Sequence, residues 1–240
     1  MKNFTFKDLI LYEDTDYILV NKPPFFSTLD DRQSFGKQNI ISLAREYLPA
    51  AQVAHRLDRE TSGVLAIAKH PEAYRHLSIQ FQNRKVEKIY HALVDGLKEF
   101  DQVLVDKPIY ALNTGIVKID FEKGKPAQTY FKTLEIFKKH SLIECRPITG
   151  RTHQIRIHLA VLQASITGDE QYGGKPLLLS EIKKKFNLKK DTDEIPVMPR
   201  FALHAFKLTF KNQQEEEISL EAPYPKDFKA ALNQLQKHKD

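Results

Sequence analysis

Short β-type runs dominate this chain and do not alternate regularly with helical ones, which restricts its fold more than any other feature. Leu9–Val20 (LILYEDTDYILV) reads as two short strands around an acidic turn, and VLAIAK, Lys88–Gly96 and Leu104–Tyr110 follow as strands. Gln128–Phe137, Leu142–Ile148 and Arg200–Phe210 add three more, and Glu216–Leu220 is placed to be the hairpin partner of the last. Helical spacing is confined to Ile40–Leu48, a helix opened by Pro71 (Tyr74, Leu77 and Phe81 on one face), Thr149–Ala164, and a last helix from Pro225. Parallel sheets need a crossover between consecutive strands, so this succession predicts an α+β fold: a mixed, mostly antiparallel sheet flanked by helices and loops. With 240 residues, 41% of them hydrophobic, the chain can bury one substantial core. No linker is visible, so residues 1–240 are read as a single domain.

The densest chemistry lies in HRLDRETSG, residues His55–Gly63. It sets the carboxylate of Asp58 between Arg56 and Arg59 and runs straight into the apolar strand VLAIAK. An acid among cations at a strand entrance suits a carboxylate that stays ionised in a cleft binding something negative. A second cluster, TGRTHQIRIHLAVLQA, crowds Arg151, His153, Gln154, Arg156 and His158 at a helix entrance, with Ile155, Leu159 and Leu162 as the buried stripe. Such an entrance is a natural anion site. Upstream, NKPP ends the first strand pair, and Lys22 in it reads as a solvated loop lysine ahead of a phosphate contact. GDEQYGG (Gly168–Gly174) is a glycine-rich turn. The basic stretch SEIKKKFNLKKDTDE after it reads as a solvated face.

Several classes drop out. A single cysteine, Cys145, leaves no internal disulfide and no cysteine-based zinc site. His153 and His158 are five apart rather than four, with no glutamate beside them, so no metal is expected. Asp58 and Glu60 could suggest a pair of glycosidase carboxylates, a weaker reading than an anion site. Ser62 lacks the glycine two positions earlier that a nucleophile elbow needs, and no phosphate loop or dinucleotide fingerprint is present. Neither a signal peptide nor a membrane span is found, and a cytoplasmic setting is expected. The net charge of +6 and pI near 9.1 are compatible with a polyanionic partner without specifying one. From the residues alone the reading is an anion-binding site with an activated carboxylate.

Taken together, HRLDRETSGVLAIAK, KIYHALVDG, PITGRTHQIRIHLA, GDEQYGG and RFALHAFKL resemble the RluA-type pseudouridine synthases, in the family's order and over most of the chain. The resemblance implies a pseudouridine synthase fold with its cleft across the sheet, and an isomerase that needs no cofactor. The uracil is detached from the anomeric carbon, turned and reattached through carbon. By position, Asp58 matches the aspartate that acts at the ribose, as nucleophile or as base. Arg156 matches the arginine that pairs with it, and Tyr90 the tyrosine that stacks on the target base. Arg56 matches the side chain that fills the gap left by the extruded uridine, and Leu203 an apolar residue lining the pocket. His55, Arg151 and Gln154 are expected to support the site or contact phosphate. The first strands begin by Leu9, which leaves no room for the accessory RNA-binding domain many relatives carry ahead of them. Recognition of structured RNA, ribosomal RNA ahead of transfer RNA, then falls to the catalytic domain and to insertions such as Glu181–Lys190, and a monomer is expected. The alternatives are action on transfer RNA alone, or an RNA-binding factor without activity.

Overall fold

The computed structural model describes residues 4–30, 38–112, 115–184, 186–187 and 192–239. After a 3-10 turn at Phe6–Leu9 come β1 (Ile10–Glu13), β2 (Tyr17–Lys22), α1 (Ile40–Tyr47), β3 (Gln52–Val53), β4 (Ser62–Ala68) and α2 (Pro71–Gln82). The chain continues through β5 (Glu87–Asp95), β6 (Val103–Asp106), β7 (Ile109–Ala111), β8 (Val117–Ile119), β9 (Gln128–Ile136), β10 (His140–Pro147) and α3 (Gln154–Val161). Then follow α4 (Leu179–Ile182), β11 (Leu203–Lys211), β12 (Glu217–Glu221) and α5 (Lys226–Lys237). The expected α+β class is what forms. Parts of the loop after Ser27 and of Glu181–Lys190 lie outside the described residues.

Two compact units make up the chain, Met1–Ile89 with His204–Tyr224 and Tyr90–Leu203 with Pro225–Asp240. Two of the three divisions fall within strands, β5 and β11, where no change in composition marks them, and the third follows Tyr224.

In the first unit the strands run β1-β2-β4-β11, with β3 also on β4 and β12 on the far side of β11. All pairs are antiparallel except β4 with β11, where His204 lies beside Ser62 and Ala205 beside Gly63. Alternate residues of β2 and β4, namely Tyr17, Leu19, Val64, Ala66 and Ala68, pack with Ala73 and Leu77 of α2 and with Leu208, Phe210 and Ile218. Every residue of β4 is buried, so both its faces are covered. Pro71 at the first turn and the His70 side chain accepting from the Ala73 N–H start α2 as its sequence signals require. Gln80 on α2 donates to the Lys211 carbonyl (2.8 Å) and accepts from its N–H (2.9 Å), taking the place of a neighbouring strand.

In the second unit the strands run β5-β10-β9-β6, all antiparallel, and β7 pairs with β8 as a separate hairpin. The single strand expected over Leu104–Tyr110 is split into β6 and β7 at Pro108, which has no N–H to give a ladder. Ile109 and Val117 of the hairpin pack on Ile157 of α3. On α5 the buried stripe is Phe228, Ala231 and Leu235, at spacings of three and four, and Leu232 beside it is only half-buried.

Candidate active site

Asp58 sits in the loop joining β3 to β4, half-buried, between exposed Arg56 and Arg59. β4 begins only at Ser62, so Asp58 and Glu60 are loop residues rather than strand residues. A turn closes over Asp58, whose carbonyl accepts from the Thr61 N–H at 3.1 Å. Leu57 is buried, and the Thr28 hydroxyl both donates to the Leu57 carbonyl and accepts from the Leu57 N–H, each at 3.1 Å. On the other side, the Arg59 carbonyl accepts from the Lys22 ammonium at 3.1 Å. Lys22 is not the solvated lysine expected: it is wholly buried, and its Nζ also donates to the carbonyls of Pro23 (3.0 Å) and Phe26 (2.7 Å). The prolines that end β2 turn these carbonyls inward, and a buried ammonium persists only where such acceptors replace water.

His55 opens the motif as a structural imidazole. Its Nε2 accepts from the Ala66 N–H of β4 at 3.0 Å, and its ring stacks on Phe81 with centroids 4.6 Å apart. Burial and the nearby Lys88 charge push its pKa down to about 3, so the ring is neutral at physiological pH. Gly63, with φ at +117°, follows the motif where β4 meets β11; a Cβ there would collide with the Ala205 carbonyl. Ser62 Oγ lies 2.9 Å from His204 Nδ1, and His204 Nε2 is 3.1 Å from the Ala222 carbonyl, both side chains wholly buried.

In the second unit Tyr90 stands on β5, half-buried, opposite Cys145 of β10. Burial holds the Cys145 thiol well above its ordinary pKa, so it is no nucleophile. Arg156 is buried on α3. Its Nε and Nη2 fork onto the two oxygens of Asp169, at 2.6 and 2.7 Å, and Nη2 also reaches Gln171 Oε1 at 3.2 Å. The guanidinium lies between two rings, 4.3 Å from the centroid of Phe201 and 4.9 Å from that of Tyr172. Tyr172 is held in turn by His153, whose Nδ1 is 2.9 Å from its hydroxyl.

The polar residues crowding the α3 entrance are mostly turned inward. Every residue from Gln154 to Leu159 is buried, so the helix is covered all round rather than along the stripe expected. Gln154 uses both ends of its amide: Oε1 accepts from Thr149 Oγ1 and the Arg151 N–H, and Nε2 donates to the Gln128 carbonyl and Thr129 Oγ1. Thr129 Oγ1 continues to His158 Nδ1, and His158 Nε2 reaches the Lys107 carbonyl. This chain of bonds fixes α3 against β9 and gives Gln154 a supporting place. The half-buried Arg151 donates from Nε to the Pro126 carbonyl. Leu203, at the start of β11, is buried, and its carbonyl accepts from Arg200.

Sequence reasoning did not single out Asp169, Tyr172 and Phe201 around Arg156, nor Thr28 beside Asp58, and it placed Lys22 on a solvated loop. Asp169 and Tyr172 lie in GDEQYGG, a motif noticed only as a turn. Among the described residues no group of three or more His, Cys, Asp or Glu is placed to hold a metal ion, and no helix is long and apolar enough to cross a membrane.

Residues 16–161 match the family model for RNA pseudouridylate synthase, a span that takes in the Asp58 loop, Tyr90 and Arg156. The chain belongs to the RNA pseudouridylate synthase family. It is 37% identical over 236 residues to ribosomal large subunit pseudouridine synthase C of Buchnera aphidicola, covering 96% of this chain and 71% of that protein. It is 35% identical over 226 residues to ribosomal large subunit pseudouridine synthase D of Vibrio cholerae, covering 91% of this chain and 68% of that protein. Among solved structures it resembles human RNA pseudouridylate synthase domain containing 4, at TM-score 0.75 and 27% identity, covering 96% of this chain and 95% of that one. This pseudouridine synthase is therefore an isomerase with the pseudouridine synthase fold.

Proposed function

We propose that this pseudouridine synthase modifies uridine in large-subunit ribosomal RNA, with Asp58 as the group acting at the ribose. The observation that carries the choice of RNA is the pair of relatives named for the large ribosomal subunit, each matched over more than nine-tenths of this chain. In the reaction the C1′–N1 bond breaks, C1′–C5 forms, N1 takes a proton and C5 loses one. Tyr90 stacks on the uracil, and Arg156 is the cationic partner of Asp58. Arg56, exposed beside Asp58, fills the space left by the flipped nucleotide. The buried hydrogen bonds of Gln154 and His55 support a structural share for both.

Mapping pseudouridine in total RNA from cells lacking the gene, complemented by wild type or by Asp58→Asn, tests this. Loss of a large-subunit site that only wild type restores is the expected result. Loss confined to transfer RNA would overturn the choice of RNA, and rescue by Asp58→Asn would overturn the role of Asp58.

A further inference from the structure

Between β2 and α1 the chain makes a turn with the wrong residue at its corner. Pro24 and Phe25 form that corner, and Phe25 takes a φ of 65°. After a proline, the second corner position with positive φ favours glycine, and for a bulky side chain the conformation is an outlier. Burial does not explain the ring, since Phe25 is 41% exposed. Its neighbour shows the contrast: Phe26 is half-buried, its ring edge-on to that of Phe4 with centroids 5.2 Å apart. Glycine at position 25 would relieve the backbone, and a polar residue would suit the solvent. Phenylalanine meets neither need, and strain held at an exposed side chain points to use of that side chain.

The place of the turn narrows what the ring can meet. The carbonyls of Phe26 and Arg59 accept from the same ammonium, that of Lys22, at 2.7 and 3.1 Å. Two residues on, Thr28 is bonded to both polar groups of Leu57. Residues 26–28 therefore run alongside residues 57–59 in the opposite direction, with Asp58 at the middle of the loop. Phe25 stands at the Arg59 end, and Arg56 at the other. Phe25, Arg56 and Arg59 are all exposed. An open ring with guanidinium groups beside it suits an unpaired stretch of RNA, whose phosphates take the cations while a base takes the ring. Extruding a uridine also unstacks the base next to it, and an aromatic face replaces the contact that base loses. We propose that Phe25 is a substrate-binding residue on which an unpaired base beside the target uridine stacks, on the Arg59 side of Asp58. This rests on the reading that the chain acts on RNA through Asp58.

The test is the affinity of the full chain for an unmodified transcript of large-subunit ribosomal RNA, comparing wild type, Phe25→Gly and Phe25→Tyr. Glycine accepts a φ of 65°, so Phe25→Gly keeps the turn. It is expected to bind the transcript about tenfold more weakly, about 1.4 kcal/mol, and by the same factor at low and high salt, because no phosphate contact is lost. Phe25→Tyr keeps an aromatic face and is expected to recover affinity to within about threefold of wild type. On a fully paired RNA duplex, where no base face is free, wild type and Phe25→Gly should bind alike. Equal binding of the transcript by wild type and Phe25→Gly overturns the proposal, as does an equal loss on the duplex. A fall of more than about 4 °C in the melting temperature of Phe25→Gly would assign the ring to packing and overturn it as well. Tritium release from C5-labelled uridine is followed on the same transcript with wild type and Asp58→Asn. No release by wild type would overturn the choice of RNA, and release by Asp58→Asn the role of Asp58; the affinity comparison reads the ring in either case.

Discussion

Around Asp58 the protein grips main chain, whereas around Arg156 it grips a side chain. Thr28 and Lys22 hold the peptide groups flanking Asp58. Arg156 instead has its guanidinium forked onto Asp169 and sandwiched between Tyr172 and Phe201. The difference follows from reach. An aspartate carboxylate lies only two torsions from its Cα, but an arginine head at the end of four torsions stays free until partners fix it, against about 2 kcal/mol of rotamer entropy. The two devices differ in cost as well: a caged ion pair depends on both partners, while a main-chain clamp spreads its load over neutral carbonyls.

The cage is the easier of the two to break. Asp169→Ala removes the carboxylate that takes the Arg156 fork, and urea unfolding should show a loss of about 3–5 kcal/mol. A loss below about 1 kcal/mol would place the pair among surface ion pairs and remove the contrast. Arg156→Lys should recover only part of the wild-type stability, because an ammonium cannot make the fork.

A smaller effect is expected at the polar chain beneath the cage. Gln154→Leu strands the Arg151 N–H and removes one bond each from Thr149 Oγ1, Thr129 Oγ1 and the Gln128 carbonyl, and should cost about 1–3 kcal/mol in the same assay. Its RNA turnover, measured where the protein is folded, should change less than that of Thr28→Val, since Gln154 braces α3 rather than the Asp58 loop. The reverse order would shift the weight of the site to the second unit.

The smallest effect separates the two units by pH. His55 has its pKa pushed down to about 3, below the ordinary value near 6.5, so the unfolded chain takes up its proton first on acidification. Its contribution to stability is complete above pH 6.5 and is lost as pH falls from there towards 3. Allowing for the partial exposure of the ring, the loss between pH 7.5 and 5.5 is about 1 kcal/mol. His140 and His158 in the second unit are lowered by burial too, so the readout is the difference between wild type and His55→Gln. His55→Gln should flatten the slope below pH 6.5; an unchanged slope would mean the ring takes up its proton as readily in the fold as in the unfolded chain.

Strand order in the chain and the motif spacing made the α+β class and the loop carrying Asp58 legible in the sequence, because both depend on local pattern. What stayed hidden were partners far apart in sequence. Lys22 reads as an ordinary loop lysine until Phe26 and Arg59 turn their carbonyls onto it. Arg156 reads as part of an open anion site until Asp169, thirteen residues on, closes over it. The extent of α3 burial was misjudged for the same reason: Gln154 and His158 look like surface residues, and only Thr129, Thr149 and Lys107 make their burial tolerable. The division within β5 and β11 leaves no compositional trace, since a strand has the same apolar pattern on both sides of such a boundary.

The most direct test of the account is tritium release from C5-labelled uridine in unmodified large-subunit ribosomal RNA, comparing wild type with Asp58→Asn under single-turnover conditions. The account predicts release by wild type and a loss of at least about 10³-fold in Asp58→Asn, about 4 kcal/mol of barrier, with RNA affinity within about tenfold. Turnover by Asp58→Asn within about tenfold of wild type would contradict it, because the loop would then be holding in place a carboxylate that the reaction does not use.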